Sequence, residues 1–416
     1  MTRRPGQDRA RLEAEAPPHA PAQRQGLRTL QVSRTTARFI SDGHPWVRPD
    51  RFTLGLEALS TGEPVTLVDE SGRRLASALS DPADEICARV YHRRADMPFI
   101  PAQALTRALE RRATLLADGS TDCHRLVHGE ADFLPGVRIE RYAQVIVVLV
   151  LAPCAAPYAD ELCRSLQGRF PEAVVVRKDH HEDLRRAPVS ARRSDGRPLD
   201  PEEVVAAREL GVTYPLRPYA GLATGLYVDQ RATRAWLRPL VPGKRVLNLF
   251  SYTGAFSLCA LHAGAAAATD IDLSAVALAR AQEAAALNGL ALRLRTLRGD
   301  CREVLSALDE AECFDVIIAD PPTAAQGAGG WVLRRDYGAV LRLALARLAP
   351  GGLLVACCNT IGGKPFDLAG AIQEQAGLEN VAVTRIDAPA LGEDLPQVDG
   401  FPEGRPFRLV AMRAKE

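Results

Sequence analysis

Residues 245–258 read RVLNLFSYTGAFSL, a strand-like run, a turn and an apolar helix start, and this unit sets the pattern of the carboxyl-terminal half of the chain. The alternation recurs at AAATDI (266–271), LRLRTL (292–297) and FDVIIAD (314–320), then at LLVACC (353–358), NVAVTRI (380–386) and FRLVAM (407–412). Seven apolar runs of strand length with helical stretches between them predict an α/β domain over 219–416, a Rossmann-like seven-stranded sheet with helices on both faces. The helix after DIDLS (270–274) is well marked, with Ser274 as its cap and Asn288-Gly289 as its stop.

In such a sheet the ligand lies at the carboxyl ends of the strands, so the residues ending them carry the chemistry. Gly254 lets backbone approach a ligand, and the helix opening after Ala255 offers free amides to an anion. A dinucleotide site wants G-x-G-x-x-G; FSYTGAF holds one glycine, which favours an amino-acid carboxylate over a pyrophosphate. Asp272, ending the second strand, suits the two hydroxyls of a ribose, and Asp300, ending the third, suits an adenine amine. Carboxylate, ribose and adenine together describe S-adenosylmethionine. Helix capping explains any one of these residues well and three at successive strand ends poorly. The fourth strand ends in Asp320-Pro321-Pro322, where two prolines remove amide donors and leave carbonyls and a carboxylate to grip a planar base.

The upstream half divides differently. Residues 1–27 are a basic tail without periodic apolar positions and read as disordered. LRTLQVS, PVTLVDE and ICARVY give a small β-barrel over 28–95. A connecting helix follows over 96–120, with Leu105, Leu109 and Leu116 inward and Arg107, Arg111 and Arg112 on the outer face. Residues 121–218 form a small α+β middle domain: a hairpin in GVRIERYAQVIVVLVLA, a helix in YADELCRSLQGRF and a strand in AVVVRKD. The loop between Arg177 and Arg197 is rich in cations, and either contacts RNA phosphate or is simply solvated.

Composition narrows the field. With 416 residues, 47% apolar and 25% charged, the chain is globular, and 52 cations against 51 acids leave +1, so any polyanion must be held by local patches. No apolar stretch is long enough to span a membrane. Nine cysteines, an odd number without CxxC, and eight histidines without ligand spacing imply reduced thiols, no metal site and a cytoplasmic location.

In their order, HPWV (44–47), GEADFLPGVRIERY (129–142), TGLYVDQRATR (224–234), NLFSYTGAFSL (248–258), DIDLS (270–274), LNGL (287–290), GDC (299–301) and DPP (320–322) resemble the RlmI-like bacterial ribosomal RNA large-subunit methyltransferases. That resemblance covers roughly 30–416. It implies a PUA-like RNA-binding domain, a middle domain and a class I methyltransferase domain. It also implies S-adenosylmethionine as cofactor, 23S ribosomal RNA or its precursor as partner, and a cytosine carbon-5 as the usual target. Tyr227, Gln230 and Arg231 fall in the segment resembling the family's cofactor lid. Asn248, Ser251, Gly254, Asp272, Asp300 and Asp320 fall on its cofactor motifs. His44 and Trp46 open the barrel, where Trp46 is either functional or core.

Carbon-5 of a pyrimidine is not nucleophilic, so a thiolate must add to carbon-6, the enamine attacks the methyl, and a base removes the carbon-5 proton before the thiol leaves. The fifth strand ends GGLLVACCNT, which offers Cys358 as nucleophile beside Asp320. Aligned without a gap from Gly351-Gly352, however, the family's nucleophile position falls on Asn359, and a one-residue slip turns a side chain to the other face. Three readings are open: Cys358 acts through a bulge; both Cys357 and Cys358 are packing residues; or Asn359 with Asp320 and the Pro321-Pro322 lip clamps a guanine or adenine whose nitrogen attacks directly. A noncatalytic RNA-binding protein, or a small-molecule methyltransferase, stands as the alternative of another class, and the assembly is a monomer or a homodimer.

Overall fold

The computed structural model describes residues 26–181, 190–219, 221, 223–325, 330–359 and 365–416. The basic tail up to residue 25 and the middle of the arginine-rich loop, 182–189, lie outside the described residues.

The first unit is a five-stranded sheet, β1 (Arg28–Gln31), β2 (Trp46–Val47), β3 (Pro64–Val68), β4 (Arg74–Ser80) and β5 (Ala88–His92), ordered β1-β3-β4-β5-β2. Helix α1 (Arg34–Ser41) begins where the Ser33 side chain accepts the Thr36 amide, and it buries Ala37 and Ile40 against Leu30, Val65, Leu67 and Val90. Strand β4 has no counterpart among the runs read from sequence, because its buried positions are mostly Ala and Ser.

Helices α2 (Pro101–Arg111) and α3 (Ala113–Leu116) lead to the middle unit. Leu105 turns inward as its spacing predicts, but Arg112 does not reach the outer face: it is fully buried. Its guanidinium donates to Asp132 at 2.7 and 3.1 Å, and a buried cation persists only with such a partner.

The middle sheet runs β10-β9-β8-β7-β6, from β6 (Cys123–His128), β7 (Val137–Tyr142), β8 (Val145–Val150), β9 (Val174–Asp179) and β10 (Ser190–Arg193). Strand β8, VIVVLV, is buried at every position, and the two faces explain why. Ile146, Val148 and Val150 pack under α4 (Ala156–Arg169), whereas Val145, Val147 and Leu149 join a core that runs on through Val246, Leu258 and Val316 of the last unit. The middle and last units therefore share one core. A hairpin of β11 (Val205–Glu209) and β12 (Val212–Leu216) continues it, turned by Leu210 and Gly211 at φ 52° and 83°, the pair of left-handed residues a two-residue hairpin wants.

After α5 (Arg231–Leu237) come β13 (Arg245–Leu249), α6 (Ala255–His262), β14 (Ala267–Asp272), α7 (Ala275–Leu287), β15 (Leu294–Arg298), α8 (Cys301–Ala307) and β16 (Phe314–Ala319). A short pair, β17 (Ala324–Ala325) and β18 (Trp331–Val332), precedes α9 (Leu333–Ala346), β19 (Leu348–Cys358), α10 (Leu368–Leu378), β20 (Val383–Ile386) and β21 (Arg408–Ala414). All seven expected strands form one sheet, ordered β15-β14-β13-β16-β19-β21-β20, parallel except for β21. Strand order reverses beside β13, which opens a crevice at the carboxyl ends of β13, β14 and β16.

Candidate active site

A cleft of about 890 Å³ fills that crevice and is walled by all three units: Trp46 and Arg89 from the first, Arg125 and Glu140 from the second, Asp272 and Asp320 from the third. Trp46 is thus a wall residue, its indole donating to Glu130 at 2.8 Å.

The loop after β13 is folded tightly. Phe250, Tyr252 and Gly254 all adopt left-handed backbone, at φ 57°, 50° and 72°. Such conformations persist where surrounding bonds enforce them. Here the Tyr252 amide donates to Asp272 Oδ2 at 2.8 Å, and the Ser274 amide to Oδ1 at 2.8 Å. Two backbone donors thus fix the Asp272 carboxylate at the cleft, with lone pairs left over for a ribose. Asp300, also in the wall, caps α8: it accepts the Arg302 amide at 2.8 Å and the Arg302 guanidinium at 2.9 and 2.7 Å, which holds its carboxyl below the usual range.

Asn248, Ser251 and Gly254 sit behind this wall. Asn248 Nδ2 donates to buried Asp270 at 3.1 Å, and the Ser257 hydroxyl donates to the same oxygen. A Cβ on Gly254 would stand 2.5 Å from Asp270 Oδ2 and 3.0 Å from Ala281 Cβ. The glycine therefore serves packing onto β14 and α7 as well as its own φ. Burial pushes Asp270 up to about 7.

On the other side Asp320 extends β16 into the cleft. Gln230 Nε2 donates to Asp320 Oδ2 at 3.0 Å, while Thr233 donates to the Gln230 oxygen at 2.8 Å and so orients the amide. Burial, aided by the nearby Asp229 carboxylate, pushes Asp320 up to about 7. Pro321, Pro322 and Asn359 line the cleft beside it. The Pro322 carbonyl is not free as expected, because the Trp331 indole donates to it at 2.6 Å. The Asn359 Oδ1 is buried without a partner among the described residues, and Thr323 holds the Asn359 carbonyl.

The paired cysteines separate cleanly. In β19 the odd positions Leu353 and Val355 face the core shared with the middle unit, and the even positions Leu354, Ala356 and Cys358 face α9 and α10. Cys358 is fully buried in that second core with Tyr337, Leu368 and Ile372, so the placement of its thiol beside Asp320 is corrected: the strand does not bulge at its end, as the Cys357–Leu409 and Cys358–Arg408 pairing shows. Cys357 faces the Asp320 side, with Sγ 3.6 Å from Gln230 Nε2, but is fully buried beneath that amide. Asn359, next on the same face, reaches the cleft.

Tyr227 lines the cleft, 56% exposed, with its ring 5.5 Å from that of Tyr252. Arg231 does not belong to the wall: its guanidinium turns away to Asp394 at 2.7 Å. Sequence reasoning missed Asp229, which lies inside the quoted YVDQR segment. Its carboxylate lines the cleft, its nearest cation is Arg125 at 3.9 Å, and it makes no hydrogen bond among the described residues. Arg125 itself pairs with Glu140 at 2.8 Å, and Tyr142 donates to Glu140 at 2.8 Å. Among the described residues, no helix is long and apolar enough to cross a membrane and no His, Cys, Asp and Glu cluster has metal-binding geometry.

Comparisons with known proteins agree with this architecture. The S-adenosylmethionine-dependent methyltransferase family model matches residues 167–403, and a PUA-like domain model matches 30–93. A ribosomal RNA large subunit methyltransferase of Deinococcus radiodurans is 34% identical, over 84% of this chain and 89% of its own. The ribosomal RNA large subunit methyltransferase I of Cronobacter sakazakii is 33% identical, over 92% of this chain and 95% of its own. A protein crystallised with SAH shares the fold with a TM-score of 0.80 at 21% identity, covering 93% of this chain and 100% of that one.

Proposed function

Since the chain belongs to the S-adenosylmethionine-dependent methyltransferases, within the family of ribosomal RNA large subunit methyltransferases, we propose that it methylates a purine nitrogen of 23S ribosomal RNA in the cytoplasm. One observation carries this reading: the residue that reaches the lip from the end of β19 is Asn359, and both neighbouring thiols are sealed from the cleft. A purine nitrogen attacks with its own lone pair, so no covalent partner is required.

Bound S-adenosylmethionine supplies an electrophilic methyl on a sulfonium. Asp272 and Asp300, which line the cleft, would hold its ribose and adenine, with Phe250 packing beside them. The base leaves its stack to enter the cleft between the Pro321-Pro322 lip and Tyr227. Asp320, Asp229 and the Asn359 oxygen are acceptors short of donors, the complement of a base edge carrying N–H groups. The PUA-like first unit, with the middle unit, would dock flanking RNA.

Cytosine carbon-5, the family's usual target, is the second reading, favoured by Cys357 facing Asp320 behind Gln230. The variant Cys357→Ala/Cys358→Ala decides between them. Turnover within about threefold of the unaltered enzyme is expected, whereas a loss of about 100-fold or more with the fold intact would establish thiol catalysis and overturn the nitrogen reading.

A further inference from the structure

Asp394 lies in the connection between β20 and β21, remote in sequence from the lip, and is 1% exposed. Its Oδ1 accepts from Arg231 Nη2 at 2.7 Å, and its Oδ2 accepts the backbone amide of Arg125 in β6 at 3.1 Å. Its carbonyl accepts from buried Arg112 at 2.8 Å. Gly392 presses the carboxylate into place: a Cβ there would stand 2.6 Å from Asp394 Oδ1 and 3.2 Å from Arg231 Nη2. Arg231 opens α5, and the residue before it is Gln230, whose amide donates to Asp320.

The same connection touches the first unit. Phe401 packs edge-on against Trp46 at 4.8 Å, Glu403 meets His44 at 3.4 Å, and the Gly404 carbonyl pairs with His128 at 2.8 Å. A single strap, residues 387–407, thus reaches the first unit, the middle sheet and the start of α5.

We propose that Asp394 is a positioning residue for methyl transfer: it holds Arg231, and so the first turn of α5, at the setting in which Gln230 donates to Asp320. This rests on the proposed role of Asp320 at the base. A mere packing role for the ion pair would lower stability without acting through Gln230.

A double-mutant cycle separates the two. Rates are measured on unmethylated 23S ribosomal RNA with radiolabelled S-adenosylmethionine, well below every variant's melting midpoint. Asp394→Asn is expected to lower kcat about tenfold, since small misplacements at a reacting centre cost that much or more, while KM for the cofactor stays within about twofold. In a Gln230→Ala background the same substitution changes kcat less than about twofold. Equal losses in both backgrounds, or no loss in either, overturn the proposal. Should Asp394→Asn fail to fold, Arg231→Lys, which keeps the charge and loses the fork, serves in the same cycle. A carbon-13 titration of the Asp320 carboxyl needs no RNA: Asp394→Asn should move it upward from about 7, and an unchanged midpoint contradicts the proposal. No turnover by the unaltered enzyme would count against the ribosomal RNA reading alone, and the titration would still decide the role of Asp394.

Discussion

On the β14 and β15 side of the cleft the carboxylates are already engaged, Asp272 by two backbone amides and Asp300 by its own helix and Arg302. On the β16 and β19 side donors are fewer: Asp320 has the Gln230 amide, and among the described residues neither Asp229 nor the Asn359 oxygen has any. The first side is a preorganised seat whose geometry precedes its ligand. The second is short of donors until something supplies them, and burial accordingly pushes Asp320 up to about 7. A cofactor that is the same at every turnover suits the first arrangement, and a base that arrives carrying N–H groups suits the second.

Substitutions should respect that division. Asp320→Ala is expected to cut methyl transfer by about 100-fold or more while leaving cofactor affinity within about threefold in calorimetry; a matching loss of affinity would place Asp320 on the cofactor side. Asp272→Ala should do the opposite, weakening cofactor binding by roughly 10- to 100-fold through the loss of charge-assisted hydrogen bonds, with little change in KM for RNA. Unchanged affinity would remove its ribose role. Asp229→Ala should raise KM for RNA by roughly tenfold with the cofactor untouched, and an effect on cofactor binding alone would blur the boundary between the two sides.

Two smaller effects test the framework beneath. Asp270 binds its proton far more tightly folded than unfolded, at about 7 against an ordinary aspartate value near ~4. That contribution to stability is complete below about pH 4 and is lost as pH rises through about 7, so denaturation midpoints should fall across this window, and fall less steeply in Asp270→Asn, where Asp320 alone of the two still contributes. A flat profile in the unaltered protein would contradict the burial argument. Cys358→Ala should cost about 1 kcal/mol of stability as a small core truncation and leave turnover intact.

Much of this architecture is legible in the sequence. The seven strands of the last sheet are apolar runs punctuated by acids and glycines, and their order along the chain already places Asp272, Asp300 and Asp320 at one edge. At the end of β19 the sequence leaves Cys358 and Asn359 open, since the resemblance aligned from Gly351-Gly352 puts the family's nucleophile position on Asn359; the strand's alternation then buries Cys358 and leaves Asn359 at the cleft. What stays hidden depends on partners distant in sequence. Strand β6, CHRLVH, reads as polar, yet its Arg125 is buried because Glu140 and Asp229 neutralise it. Arg112 reads as a surface cation and Arg231 as a cofactor-lid residue until Asp132 and Asp394 arrive from elsewhere in the chain. The left-handed backbone at Phe250 and Tyr252 has no residue-type signal, since the hydrogen bond to Asp272 imposes it.

The division of the cleft is tested most directly by locating the transferred methyl. Unmethylated 23S ribosomal RNA is incubated with the enzyme and deuteromethyl-labelled S-adenosylmethionine, digested to nucleosides and resolved by mass spectrometry. The account predicts the label on a nitrogen of guanosine or adenosine; label in 5-methylcytidine would contradict it and return the catalytic role to a thiol.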